Sequence, residues 1–251
     1  MYMKKIVVFI VAAATSITVM AQSPLLKEAQ NLDKQFREAE ALEKYKAVLI
    51  NEPQNITVLT RITEINTAIG SRQKENIAKS SYYFNALQHA QRAYAADSNS
   101  YLASYAMAIA SGKMTEVADE NKKIVGYVRD VKNYADRAVR LNPNDGKSWY
   151  TLGKWHWEMV NLNWAKKAAV KALYGGLPKG DITVAITSYE KCKTLEPYFV
   201  INFLDLAKAY QYDNKPDKAI AVLQQLVKLP TRTADDAAYK EEGKQLLQKL
   251  L

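Results

Sequence analysis

Two histidines, His89 and His156, and one cysteine, Cys192, are the only side chains of their kinds in the chain. A metal site needs three or four converging ligands, and neither histidine has a His or Cys at i+3 or i+4. No Cys-x-x-Cys, His-Glu-x-x-His, Gly-x-Ser-x-Gly or phosphate-binding glycine loop is present. Adjacent carboxylates such as Asp119-Glu120 and Glu241-Glu242 would not face each other on a helix. The expectation is no catalysis, no metal and no cofactor. A different chemistry is open to large apolar groups interleaved with lysines at helical spacing. These are Leu102, Tyr105 and Ile109; then Lys147, Tyr150, Lys154 and Trp157; then Ile201, Leu204, Lys208 and, one position late, Tyr212. Such a face suits a ligand with an apolar body and an anionic head, either an amphipathic acidic helix or an acyl lipid.

The elements that must position these groups are helices. Seven prolines and nine glycines in 251 residues, with abundant Ala, Leu, Lys and Gln, favour helix, and no alternating Val/Ile/Thr stretch reads as a strand. Apolar residues make up 48% and charged residues 24%, a balance that argues for a folded chain rather than disorder. The net charge of +9 can attract anionic partners, although such an excess also serves solubility. Nucleic acid is set aside, because no basic cluster with interleaved aromatics forms a reader.

The first residues read as a targeting signal. Lys4 and Lys5 precede an apolar run from Ile6 to Val19, whose 14 residues span about 21 Å as a helix, short of the ~30 Å hydrocarbon core. Val19-Met20-Ala21 then offers a cleavage point before Gln22. Residues 1–21 are therefore expected to be a signal peptide of bacterial style, and the mature chain periplasmic or secreted. In such an oxidising compartment Cys192 has no intramolecular partner.

Internal repetition organises the rest. Phe203, Leu206, Ala207 and Tyr210 share one helix face, Asp213-Asn214-Lys215-Pro216 breaks it, and Ala219, Leu223 and Leu226 mark a second helix ending at Leu229-Pro230. The same pattern recurs upstream as Ala41, Tyr45, Val48 and Pro53; as Leu59, Ile62, Thr63 and Gly70 with Ala86, Ala90 and Ala93; as Val131, Ala135, Ala138 and Pro143; and as Trp149, Leu152 and Gly153 with Ala185, Tyr189, Cys192 and Pro197. This arrangement resembles the tetratricopeptide repeat. It implies an all-α solenoid of about five helical hairpins, in units of about 22–54, 55–99, 100–144, 145–198 and 199–231, with a capping helix over 233–251. Cys192 then stands at a small-residue packing position, where a buried and inert thiol is expected. His156, between two tryptophans, is expected to be a hydrogen-bonded core residue. Polar sequence at 72–81 and 114–123 lengthens two hairpins. The fourth unit carries an insertion, 161–180, with a basic amphipathic stretch of its own that includes Trp164, Lys166, Lys167 and Lys171; lid, strut and membrane contact all remain open for it.

In a repeat of this kind the first helices line a concave wall, and the aromatic–lysine series falls on that wall. Some of these residues could instead pack against the insertion. Leu152-Gly153-Lys154-Trp155, Leu162, Trp164, Lys166, Lys167, Leu173, Gly175 and Pro178, then Leu206-Ala207-Lys208, Tyr210 and Leu229-Pro230 with Thr233, are together similar to the regulators of microtubule dynamics. That resemblance implies organelle tethering, microtubule association and, in one branch, phospholipid carriage. An exported chain would meet no tubulin, so that role is not carried over, and no acidic tethering motif precedes the repeats. The expected function is a non-enzymatic scaffold in the cell envelope that binds a protein partner in its groove. The alternative is a carrier or sensor of an anionic amphipath such as a phospholipid.

Overall fold

Small side chains recur where helices cross, and they set the frame. Ala41, Ala86, Ala185 and Ala219 are fully buried, and Val131 nearly so, at equivalent points of five second helices. Across from them lie small residues of the first helices. A Cβ on Gly153 would come within 2.9 Å of the Tyr189 ring and 3.1 Å of the Ala185 carbonyl oxygen. Thr63, fully buried, donates its hydroxyl to the Leu59 carbonyl at 2.9 Å within its own turn and to that of Ala86 at 3.4 Å. Larger groups would hold the helices apart and leave voids along their flanks.

A computed structural model describes residues 23–162, 171 and 175–251. The expected signal segment lies outside these residues, as do Trp164, Lys166 and Lys167 of the insertion. The described residues form five hairpins, α1 (Pro24–Lys34) with α2 (Glu38–Asn51), α3 (Ile56–Arg72) with α4 (Asn76–Ala96), α5 (Tyr101–Met114) with α6 (Asn121–Leu141), α7 (Gly146–Asn161) with α8 (Ile182–Leu195), and α9 (Val200–Tyr212) with α10 (Pro216–Leu226). A last helix, α11 (Asp236–Leu250), packs on α9 and α10. No strand occurs among the described residues. The first helices also pack in series, α3 on α5, α5 on α7 and α7 on α9, and so build a continuous inner wall. The all-helical repeat solenoid expected from the pattern is the fold observed.

Local chemistry fixes the helix starts. Ser23, Asn55, Ser100 and Asp145 each accept a backbone N–H of the first turn, so four of the five first helices are capped by a side chain. The polar sequence that lengthens units two and three is helical from Asn76 and from Asn121 on, after turns at 73–75 and 115–120. α4 and α6 run 21 residues each, continuing the second helix well upstream of Ala86 and Val131. The insertion is anchored where it rejoins the repeat. Leu177 packs on the Val131–Trp155–Met159 cluster, and Arg129 donates to the Gly176 carbonyl at 2.9 Å. At Gly180 a Cβ would sit 2.6 Å from Met159 Cβ and 2.7 Å from the His156 carbonyl, so only glycine fits.

Two tests follow from the crossings. Gly153→Ala and Ala207→Leu should each cost ~1–3 kcal/mol by overpacking. For a domain of this size that is a fall of roughly 2–4 °C in melting temperature per kcal/mol. A melting temperature equal to wild type for both would show that the crossings are misplaced.

Candidate functional site

The inner wall is crossed by carboxylates, each held by a tyrosine hydroxyl and a cation. Glu64 on α3 accepts from the Tyr105 hydroxyl on α5 at 3.0 Å, from Lys147 Nζ on α7 at 2.6 Å and from the Arg61 guanidinium at 2.7 Å. Asp33 in α1 accepts from the Tyr45 hydroxyl at 3.1 Å and from Arg61 at 2.6 and 2.7 Å. Asp205 on α9 accepts from the Tyr150 hydroxyl at 2.9 Å and pairs with Lys154 at 3.2 Å. Sites this poorly hydrated strengthen such charge-assisted bonds and make each unpaired member costly.

The titration of these groups follows. Burial alone would raise the Glu64 carboxyl, but Lys147 and Arg61 outweigh it and hold it down at about 2. Burial would lower the Lys154 ammonium, yet Asp205 and Glu158 more than offset it and leave it raised. Burial, reinforced by the Glu64 charge, pushes the Tyr105 hydroxyl well above its ordinary range, so it remains a donor.

Above this wall lies a cavity of about 340 Å³. Its floor includes Ile65, Tyr105, Ile109, Lys147, Tyr150 and Ile201, and its rim Phe36, Glu38, Arg232, Asp235 and Tyr239. The rim brings the first hairpin and the segment before α11 to one opening. Of the cations facing the cavity, Arg61 and Lys147 are matched as described, Lys113 pairs with Glu116 at 2.8 Å, and Arg232 stacks 3.9 Å from the Tyr198 ring centroid.

Phe36 is held there against its own backbone preference. The α1–α2 and α9–α10 turns have the same geometry. In each, the residue before last in the turn has positive φ, Phe36 at 60° and Asn214 at 54°. The next N–H then reaches back five residues, Arg37 to Leu32 at 3.0 Å and Lys215 to Tyr210 at 2.9 Å. Asn is at home in that conformation, whereas Phe is strained by on the order of 1–3 kcal/mol. The aromatic is 41% exposed and lines the cavity, so burial does not account for its presence.

The structure divides the candidates drawn from the sequence. Tyr105, Ile109, Lys147, Tyr150 and Ile201 meet at the cavity. Leu204 does not. It is fully buried in the core, because Leu246, Leu247 and Leu250 of α11 pack on the same cluster and roof the inner face of the fifth unit. Trp157 packs on that cluster as well and meets Tyr212 edge-on at 5.6 Å. Tyr212 and Lys171 line a separate cavity of about 580 Å³ beside the insertion, with Met159, Leu162, Leu177 and Pro178. Lys154 and Lys208 are engaged, the first with Asp205 and Glu158 at 3.0 Å, the second with Glu242 at 2.7 Å. Sequence reasoning missed Glu64, Asp33, Asp205, Arg61 and Phe36. Glu64 was accessible, since it occupies in unit two the register of Ile109, Lys154 and Lys208.

The histidines and the cysteine are structural in placement. Buried His156 accepts the Asp181 N–H on Nδ1 at 3.2 Å, and burial together with Lys132 lowers its pKa. His89 Nδ1 bonds the Asn85 carbonyl within its own helix at 2.7 Å. Cys192 is fully buried, which pushes its thiol far up. Among the described residues no group of three or more His, Cys, Asp or Glu could hold a metal, and no helix is long and apolar enough to cross a membrane.

Comparison with known proteins agrees with this architecture. The family model of Regulator of microtubule dynamics protein 1-3 matches residues 25–251. Regulator of microtubule dynamics protein 3 of Mus musculus is 24% identical over 189 residues, 75% of this chain and 40% of its own length. Protein 1 of Caenorhabditis elegans is 28% identical over 153 residues, 61% of this chain and 67% of its own. The chain thus spans well under half of the mouse relative. A thermophilic TPR protein of Thermus thermophilus, 17% identical, superposes with a TM-score of 0.62 over 88% of this chain and 97% of that one, which shows the shared fold.

The Glu64 linkage has a defined sign. Its folded pKa lies below the unfolded value, so its contribution is full above pH ~4.3 and is lost as pH falls toward about 2. Glu64→Gln should flatten the loss of stability between pH 4.3 and 2 while lowering stability at pH 7 by about 3 kcal/mol. Urea titrations at several pH values would show it. Parallel curves for wild type and variant would mean that Glu64 carries no such linkage.

Proposed function

This chain belongs to the Regulator of microtubule dynamics protein 1-3 family, and we propose that it is a non-enzymatic repeat scaffold that receives a segment of a partner protein in the groove of α1, α3, α5, α7 and α9. The observation that carries this reading is Phe36. A strained, partly exposed aromatic at the rim of a cavity is a cost to the fold, and contact with a ligand is what that position offers. The cavity floor adds Ile65, Ile109 and Ile201 among polar groups already satisfied by one another, which favours an apolar or neutral segment over an anionic one. The lysines that a lipid headgroup would need face Glu64, Asp205, Glu158 and Glu242, so nothing in the groove favours the carrier alternative. The targeting signal at 1–21 supports action in the cell envelope or outside it.

The test places a photo-crosslinking residue at Ile109 or Ile201 in the native cell, with Lys191 and Lys244 on the outer surface as controls. One discrete protein adduct is expected from the groove positions only, recovered with the periplasmic or secreted fraction. Phe36→Asn should weaken that adduct while stabilising the protein by ~1 kcal/mol or more, because the turn strain is relieved. Equal adducts from both faces would defeat the groove reading. Recovery with the cytoplasm would defeat the location, and a Phe36→Asn variant less stable than wild type would remove the argument from strain.

A further inference from the structure

The residue that follows the insertion ties the end of that insertion to α7. Asp181 caps α8: its carboxylate accepts the N–H of Thr183 at 2.7 Å and of Val184 at 3.3 Å, and its carbonyl accepts that of Ala185 at 3.0 Å. Those bonds serve α8 alone. Its own N–H donates instead to His156 Nδ1 on α7, at 3.2 Å. Gly180 before it has no side chain with which to hold on, and its backbone lies close against that of α7, where a Cβ would meet the Val160 nitrogen at 2.8 Å. From this corner back to Gly175 the chain walls the cavity of about 580 Å³ that Met159 and Tyr212 also line.

We propose that His156 is an acid-sensitive pin: the neutral ring holds the Gly180–Asp181 corner on α7, and protonation frees the corner and loosens that wall of the cavity. A backbone N–H can only donate, so the bond requires a lone pair on Nδ1 and places the ring proton on Nε2. An imidazolium carries N–H on both nitrogens, and two donors would then face each other. The charges that act on the ring are Lys132 of α6, which opposes protonation, and Asp136 of α6 and Asp181, which favour it. Burial is the largest effect, and with Lys132 it holds the ring below the ordinary histidine range. Charges on the other elements packed against α7 are engaged elsewhere: Lys113 with Glu116, Glu190 with Lys193, Asp205 with Lys154, and Lys208 with Glu242. The folded pKa thus lies below the unfolded one. The contribution of the bond is full above the ordinary value of 6.5 and is lost as pH falls through the folded value. Leu177 and Arg129, the other anchors of this segment, do not titrate near neutral pH, so its acid response falls to His156.

With two histidines in the chain, both rings can be followed by NMR in the intact protein. The ring C–H shifts of His156 and the amide shift of Asp181 are titrated from about pH 7.5 to about 4.5, across the histidine range. Exposure of the wall is read in Leu177→Cys, at a position that lines the cavity, while native Cys192 is fully buried. Its rate of labelling by a dithiodipyridine is divided at each pH by that of a free cysteine peptide. The Asp181 amide should shift with the midpoint of His156, and the relative labelling rate should rise about three- to tenfold below that midpoint, the equivalent of one hydrogen bond. Adding His156→Asn removes the titrating ring and should make the labelling ratio independent of pH. An Asp181 amide that ignores the titration of His156, or a flat labelling ratio in the presence of His156, would overturn the pin. An equal rise in the His156→Asn background would also overturn it, and would assign the response to carboxyls that burial raises, such as Glu38 and Asp130.

Discussion

Glu64 and Lys147 are 83 positions apart and belong to helices that do not pack on each other, yet their side chains meet at 2.6 Å. Helix α5 lies between them, and its Tyr105 donates to the same carboxylate. In a repeat stack each unit ordinarily touches only its neighbours, and stability is a sum of local terms. A bond from the second unit to the fourth is possible only if the inner wall curves tightly enough to bring alternate helices within side-chain reach. The curvature, the cavity and the meeting of the two ends at Arg72, which pairs with both Glu38 and Asp235, are consequences of the same geometry. A straighter wall would part Glu64 from Lys147 and leave a half-buried charge of each sign without its partner.

Pairing of the same kind answers the lysines of the inner wall in a chain of net charge +9. Lys147 lines the cavity while Lys154 and Lys208 do not, and each of the three is answered by a carboxylate from another element. Recognition is left to the apolar groups and to Phe36, whose backbone strain is a local feature at odds with stability. A stack held by long-range polar clasps can tolerate that cost, because the first hairpin is tied through Asp33 and Arg61 into the wall it overhangs.

Much of the fold was legible. The alanines of the second helices recur at fixed register, and the insertion read at 161–180 falls between α7, which ends at Asn161, and α8, which starts at Ile182. The cavity was legible in part. Tyr105, Ile109, Lys147, Tyr150 and Ile201 were read from the groove register of the repeat that the chain resembles and line the cavity, whereas Leu204, read from the same register, lies in the core. No local rule says that α11 will roof the fifth unit. The carboxylate partners were invisible for a related reason: Glu64 with Lys147, and Tyr150 with Asp205, lie 83 and 55 positions apart. Such pairs depend on how far the wall bends, which is a sum over many small crossing angles. Phe36 was hidden differently. Its oddity appears only once the turn is matched with that at Asn214.

The central claim is that Glu64 and Lys147 interact across an intervening helix and thereby hold the wall in its curved form. A double-mutant cycle with Glu64→Gln, Lys147→Met and the pair, read as unfolding free energy in urea, measures that interaction directly. The account predicts a coupling of about 1–3 kcal/mol at low salt that persists in part at 1 M NaCl, since the pair is partly buried. Additive effects, with a coupling within about 0.3 kcal/mol of zero, would contradict it.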